Sequence, residues 1–283
     1  MKILVTGFNG QLGYDVVRKI SSDDECVGTD IQDFDITDKA QTMEYIKNYH
    51  PDAVVHCAAY TAVDKAEDDA ELCYKVNVTG TKNIAEACKE IDAKMLYVST
   101  DYVYGGKGDA PIEPTAQPDP QNVYGRTKLE GEEAVKSILE KYFIVRTSWV
   151  FGINGNNFVK TMLRLAESRE ALNVVDDQIG SPTYTPDLAE LIIKMIHTTR
   201  YGTYNATNEN FCSWAEFASE IMRLGDKKTK IIPIPSSEYP TRATRPLNSR
   251  LSKKCLEPFG CLPDWQDALK RYFTEIDKKG ENK

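Results

Sequence analysis

No run of about 18 consecutive apolar residues occurs anywhere in these 283 residues, so no segment is expected to span a membrane. The N-terminus lacks the longer apolar core and small-residue cleavage site of a secretory signal. Instead Lys2-Ile-Leu-Val-Thr-Gly7 reads as a strand entering a turn. Cysteines 26, 57, 73, 88, 212, 255 and 261 form no CxxC pair; their odd number and irregular spacing predict reduced, buried thiols in a cytoplasmic protein. His50, His56 and His197 have no metal-ligand spacing. There is no internal repeat and no low-complexity linker. Excess positive charge is missing too: 35 basic against 43 acidic residues leaves a net charge of −8, which argues against a general nucleic-acid binder. An anionic ligand stays possible, because a helix N-terminus and a few Arg or Lys residues suffice to hold one.

What is present is an alternation of short apolar runs with helical periodicity. Ile3-Leu-Val5, Glu25–Thr29, Ala53–Cys57, Lys94–Val98 and Tyr142–Arg146 read as strands. Between them, helices are expected over Gln11–Ser21, Thr37–Tyr49 (with Met43 and Ile46 inward), Ala66–Ile91 with a break near Asn77–Gly80, and from Tyr124 to about Leu139. This order predicts an α/β protein with a parallel sheet wound by right-handed crossovers. Beyond about residue 150 the pattern loosens. Helices are expected over Asn157–Glu167, Asp187–His197, Ser213–Arg223 (Ser213 as N-cap, with Glu216 three residues on) and Leu262–Ile276, with fraying from Lys278 to Lys283. The prolines of Ile231–Ser236 suggest loop or edge strand. Residues 1–150 therefore read as one doubly wound unit, and 151–283 as a smaller lobe packed on it.

Two motifs in the first part carry chemistry. Gly7-Phe-Asn-Gly10-Gln11-Leu12-Gly13 follows a strand and opens a helix. In such a loop the first glycine permits a tight turn, the second lets backbone approach a pyrophosphate, and the third lets helix pack on strand. An ordinary βα turn is the competing reading. Asp30, twenty residues beyond Gly10, stands where an acidic side chain can bind the ribose hydroxyls of NAD, and no Arg follows it closely. Asp35 and Ile36 are expected to border the adenine. Ala58-Ala59-Tyr60-Thr61 follows the third strand, where small residues leave room for a cofactor. Asn77 is either an exposed helix residue or part of a proton relay. Ser99-Thr100-Asp101 follows the fourth strand, where a hydroxyl could grip a carbonyl; a simple turn or cap is the alternative. The second motif is Tyr124-Gly-Arg-Thr-Lys128, whose ends share one helix face. A Lys ammonium beside the phenol is expected to lower the Tyr pKa and make it a usable acid.

Together these features resemble the extended short-chain dehydrogenase/reductase superfamily, with a Rossmann sheet. The resemblance covers nearly the whole chain. It implies that Tyr124 exchanges a proton with the substrate oxygen, Lys128 holds the nicotinamide ribose and tunes Tyr124, and Thr100 bonds the reacting carbonyl. A narrower resemblance lies in Thr61–Glu67, Ser99–Tyr104, Asn122–Gly125, Arg146–Val150, Gly155–Phe158, Asp177–Thr183 and Arg245–Arg250. These blocks resemble the dTDP-4-dehydrorhamnose reductases. That family implies NADPH or NADH as cofactor and a dTDP-linked 6-deoxy-4-keto-sugar as partner, with Thr100, Asp101, Tyr124 and Trp149 lining the sugar. It also implies that Ala59, Tyr60, Thr61 and Val98 line the cofactor. Core filling is the competing role for Trp149.

Rival classes share parts of this pattern. A sugar-nucleotide dehydratase places a Glu where Tyr102 follows Thr100-Asp101 here, and Tyr cannot remove a carbon-bound proton as that Glu does. A nucleotide-sugar 4-epimerase, another 4-reductase, and a non-catalytic NADP-binding regulator resembling the β subunit of methionine adenosyltransferase remain as alternatives. Some reductases of the family hold Mg²⁺ with glutamates at a dimer interface. The matching positions include Asp15 and Pro186, and Pro186 offers no ligand, which argues against a shared Mg²⁺ and against that particular homodimer. Arg242, Arg245 and Arg250 are candidates for the substrate phosphates, with surface ion pairing as the alternative.

Overall fold

The computed structural model describes residues 1–281. Its first half runs β1 (Lys2–Thr6), α1 (Gln11–Lys19), β2 (Glu25–Thr29), α2 (Lys39–Tyr49), β3 (Ala53–His56), α3 (Val63–Ala66), α4 (Ala70–Tyr74), a π-helical stretch (Lys75–Gly80), α5 (Thr81–Glu90), β4 (Lys94–Thr100), α6 (Val123–Ile138) and β5 (Tyr142–Thr147). The second half adds β6 (Val150–Phe151), α7 (Phe158–Ala166), β7 (Ala171–Val175), β8 (Ile179–Gly180), β9 (Thr183–Tyr184), α8 (Thr185–Ile196) and β10 (Gly202–Asn205). It closes with β11 (Cys212–Ser213), α9 (Trp214–Leu224), β12 (Lys230–Ile234), β13 (Asn248–Ser249) and α10 (Trp265–Glu281).

Six strands form one parallel sheet in the order β10-β5-β4-β3-β1-β2. Its central strands are apolar on both faces because both faces are covered. Ile3, Val5, Val55 and Val145 pack under α1 and α8, against Leu12, Val16, Leu188 and Ile192. Leu4, Val54 and Met95 face the other way, toward Ile46 of α2, Ile84 of α5 and Val135 of α6. The chain leaves β1 toward β2 and returns on the other side to β3. The strand order therefore reverses between β1 and β3, and a crevice opens beyond their carboxyl ends. A second core, built on Phe151, Phe217, Trp265 and Tyr272, holds the smaller lobe together.

Several elements differ from the sequence reading. The helix expected over Ala66–Ile91 is split, and the π-helical stretch falls on the Asn77–Gly80 segment where a break was expected. Its extra residue per turn turns Asn77 inward, leaving it 1% exposed, while Gly80 lies against Ile36. Ser213 caps α9 with Glu216 in a reciprocal box, as expected. The proline-rich 231–236 segment supplies β12, which pairs with β7 and tolerates Pro233 in a two-stranded ribbon. The break read at residue 150 is crossed twice, since α8 packs beside α1 and β10 extends the large sheet from β5. Gly202-Thr-Tyr-Asn205 is too short and too polar to read as a strand alone; its pairing with Phe143–Arg146 makes it one. Helix α10 continues to Glu281, and the remainder of the expected frayed end lies outside the described residues.

Candidate active site

The carboxyl ends of β1, β3, β4 and β5 open into a cleft of about 810 Å³. The glycine loop forms one wall. Gly7 takes φ +70°, and a Cβ there would stand 2.7 Å from the Ala58 nitrogen, so the β1 and β3 turns touch only because position 7 has no side chain. Gly10 precedes α1, whose first turn has no side-chain cap, and a Cβ on it would meet nothing closer than the Gly7 carbonyl oxygen at 3.1 Å. Backbone N–H groups at an uncapped helix start, beside open space, suit a pyrophosphate. Gln11, Leu12 and Gly13 complete that wall. Asp30 stands at the end of β2, its carboxylate accepting from the backbone of Ile31 (2.8 Å) and, at 3.3 Å, of Asn9. Both atoms sit at the cleft rim, where hydroxyls of a ribose would compete for them. Asp35 and Ile36 also line the cleft, although Asp35 Oδ1 is engaged by the backbone and hydroxyl of Thr37, both at 2.8 Å.

Ala59, Thr61 and Val98 line the opposite wall. Tyr60 departs from the sequence reading. Its ring lies with Ala66, Cys73 and Val123 outside the cleft lining, and its hydroxyl donates to Asp69 at 3.2 Å. Asn77 locks that orientation, accepting from the Tyr60 N–H at 2.8 Å and donating to its carbonyl at 3.2 Å. Asn77 is thus a buried brace of the loop after β3.

Helix α6 starts beside the end of β4. Asn122 caps it, accepting from the Gly125 N–H at 2.7 Å and donating to the Thr244 carbonyl at 2.8 Å. Glu67 accepts from Val123 N–H at 2.8 Å. These bonds aim the first turn, with Tyr124, into the cleft. Gly125 lies directly against the Tyr102 carbonyl, where a side chain would push the helix away. Thr100 donates to Asp101 Oδ1 at 3.0 Å and engages the Tyr124 phenol. Lys128 is buried; its ammonium donates to the Val98 carbonyl at 2.7 Å and lies 4.0 Å from the Tyr97 ring centroid.

The expected lowering of the Tyr124 pKa by Lys128 is not what this arrangement does. Burial pushes the phenol up, Thr100 opposes that rise, and Lys128 is turned toward Val98. Burial also brings Lys128 down to about 7. Tyr124 therefore stays a proton carrier at neutral pH, the form a general acid needs.

Asp101 is buried and accepts from Ser249 of β13 at 2.5 Å, so the C-terminal lobe reaches the end of β4. Burial lifts its pKa to about 6, and the hydroxyls of Ser249 and Thr100 partly oppose that rise. A carboxyl raised from 3.8 to about 6 binds more protons folded than unfolded between those values, so its contribution worsens as pH rises through the window. Asp101→Asn is expected to raise stability at pH 8 by about 1–3 kcal/mol, with the gain vanishing below about pH 4. Thermal denaturation across pH checks this, and a pH-independent difference contradicts it.

Trp149 has φ +50°, an uncommon value for a bulky residue, and stacks on Trp214 with centroids 3.7 Å apart. Gly180 abuts the indole on another side. Held this way, Trp149 lines the cleft. Its neighbour Thr147, which sequence reading passed over, also lines the cleft, and its buried hydroxyl has no partner among the described residues. The sequence signals for it are its place at the end of the fifth strand and within the Arg146–Val150 block. The candidate phosphate arginines are engaged: Arg245 pairs with Asp64 through two bonds, at 2.9 and 2.6 Å, Arg242 pairs with Asp68, and Arg250 donates to Asn248 at 3.0 Å. At the positions tied to Mg²⁺, Asp15 is buried, accepts from Thr185 at 2.5 Å and pairs with Arg18. Pro186 sits inside α8.

A parallel sheet that reverses its strand order at a glycine turn, with a Tyr-Lys helix and a hydroxyl gathered at its carboxyl end, defines the extended short-chain dehydrogenase/reductase class. Within it, the family described as the RmlD substrate binding domain matches residues 1–278, and the chain belongs to that family. Spore coat polysaccharide biosynthesis protein SpsK of Bacillus subtilis is 40% identical to it, over 97% of each chain. The dTDP-4-dehydrorhamnose reductase of Aggregatibacter actinomycetemcomitans is also 40% identical, covering 95% of this chain and 97% of its own. The crystal structure of dTDP-4-dehydrorhamnose reductase from Bacillus anthracis in complex with NADP superposes with a TM-score of 0.95 at 42% identity, over 97% of this chain and 99% of that one.

Proposed function

We propose that this chain catalyses the dTDP-4-dehydrorhamnose reductase reaction, converting the C4 ketone of dTDP-6-deoxy-L-lyxo-4-hexulose to the alcohol of dTDP-L-rhamnose. The observation that carries it is the gathering of Thr100, Tyr124 and Lys128 beside the glycine loop in one cleft. Reductase relatives matching over almost the full length support the same substrate. When bound, reduced nicotinamide supplies the hydride. The protein's part is to hold the ketone near it and to deliver a proton. Thr100 and Tyr124 present two hydroxyls from adjacent elements to one carbonyl oxygen, and Tyr124 gives up its proton as the alkoxide forms. Lys128, in its protonated form, donates to the hydroxyls of the nicotinamide ribose. Asp101 and Trp149 face the sugar, the indole covering an apolar face. The glycine loop holds the cofactor's pyrophosphate, and Asp30 its adenosine ribose.

Oxidation of NADPH or NADH on addition of the enzymatically prepared keto-sugar, with the product identified by mass and NMR, tests the proposal. Cofactor consumption that yields dTDP-L-rhamnose is expected. Tight cofactor binding without consumption would overturn it. Asp30→Ala is expected to weaken NADH by about 10-fold and NADPH less, because the 2′-phosphate already lacks the hydroxyl that Asp30 binds. Equal losses in a fluorescence titration would remove Asp30 from the ribose. We place the chain in the cytoplasm, a location that seven free cysteines support. Among the described residues no helix is long and apolar enough to cross a membrane.

A further inference from the structure

Tyr124 and Lys128 are two members of a longer stripe on α6. One turn further on, the same face carries Glu132, which is fully buried. Its carboxylate accepts from Ser99 Oγ at 2.6 Å. It also accepts twice from Arg146, from Nε at 2.8 Å and from Nη2 at 2.6 Å. Arg146 is buried as well, and its remaining arm donates to the Tyr104 hydroxyl at 2.5 Å and the Pro114 carbonyl at 3.0 Å.

The last three residues of β4 are thus tied to three successive turns of α6. Thr100 engages Tyr124, the Val98 carbonyl takes Lys128, and Ser99 reaches Glu132. The stagger of this ladder fixes the height of α6 along β4, and so the height of the phenol and the ammonium in the cleft. A buried ion pair held by such a set of bonds has only one satisfied arrangement, which makes it a register device.

We propose that Glu132, clamped by Arg146 and Ser99, is a positioning residue for Lys128, fixing the height of its helix on β4 and standing one helical turn from the amine as a fixed carboxylate. This rests on the reading of Lys128 as a working group of the reductase site. The groups facing Lys128 are Tyr124 and Glu132 on its own helix, Tyr97 on β4, His56 and Cys57 at the end of β3, and Cys73 on α4. Burial keeps His56 neutral by bringing it down to about 3, and lifts Cys57 to about 12. It also raises Cys73 and Tyr97. Among these neighbours the Glu132 carboxylate is the fixed negative charge, and it is shared with Arg146 and, at 3.5 Å, with Lys136.

The experiment reads Lys128 directly in the full chain, by NMR titration of isotopically labelled lysine side chains, with Lys128→Met identifying the signal. Glu132→Gln is expected to move the Lys128 ionisation at least about 3-fold toward acid, with the alkaline loss of kcat moving alongside it. Because that variant leaves a guanidinium buried alone, the double variant Glu132→Gln/Arg146→Met is titrated too, with a smaller shift in the same direction. Glu132→Asp is expected to restore part of the midpoint. An unchanged Lys128 midpoint in either folded glutamine variant overturns the proposal, since a purely structural role would alter stability without moving that titration. A wild-type protein without keto-sugar turnover would instead sink the reductase reading, and the midpoint shift would still report on Glu132.

Discussion

Tyr124→Phe is expected to lower turnover of the keto-sugar by roughly 10³-fold while leaving NADPH affinity within about twofold. The phenylalanine keeps the ring that packs edge-on against Tyr102, so the start of α6 is unchanged. What is lost is the one hydroxyl that both reaches Thr100 and carries a proton at neutral pH. Thr100, turning its hydroxyl hydrogen from Asp101 to the substrate, is left to orient the carbonyl, but it is far too weak an acid to substitute. Stopped-flow oxidation of NADPH, alongside a binding titration of the same preparation, separates the two effects. Turnover within about tenfold of the wild type would remove Tyr124 from the proton-transfer step.

The second large effect is expected in the glycine loop, where two neighbouring glycines should respond differently. Gly13→Ala drives a methyl group into the Gly7 carbonyl, which is backbone and cannot step aside without opening the turn between β1 and α1. Both stability and cofactor affinity should fall, the affinity by about 100-fold and the stability by about 1–3 kcal/mol. Gly10→Ala meets the same carbonyl oxygen only at 3.1 Å and otherwise points into open cleft, so the fold should tolerate it. The methyl then stands where a pyrophosphate would approach, and affinity should fall about 10-fold with little change in Tm. Paired denaturation and NADPH titrations decide this. Equal effects at both positions would mean that the loop does not carry the pyrophosphate.

Much of this architecture was readable from the chain because the signals were local. Unbroken apolar runs such as Ile3–Val5 and Ala53–Val55 read as strands covered on both sides, and they are. The capping box at Ser213 needs three residues of spacing and nothing else. The Tyr124–Lys128 spacing placed both groups on one face of a helix whatever that helix packed on. The residues that sequence reading missed are those whose roles depend on distant neighbours. Ser249 meets Asp101 across 148 positions of sequence. Nothing in Gly202–Asn205 states that it will extend the sheet beside β5. Tyr60 followed the right strand, yet Asn77 and Asp69 turned it away from the cleft.

The candidate site was legible in the order of the residues: a strand, a glycine turn, an acid after the second strand, a hydroxyl after the fourth, and a Tyr and Lys one helical turn apart. These are short-range patterns, and short-range sterics and hydrogen bonding decide them without help. The electrostatics were decided only in three dimensions. The spacing of Tyr124 and Lys128 suggested a lowered phenol, whereas the folded chain buries Lys128 and packs the half-buried Tyr124 at the cleft, raising the phenol and lowering the amine. Burial depends on every element packed around the site, and Glu132 and Arg146 reach it only when α6 and β5 close on β4. No local pattern encodes how far a charge will stand from water.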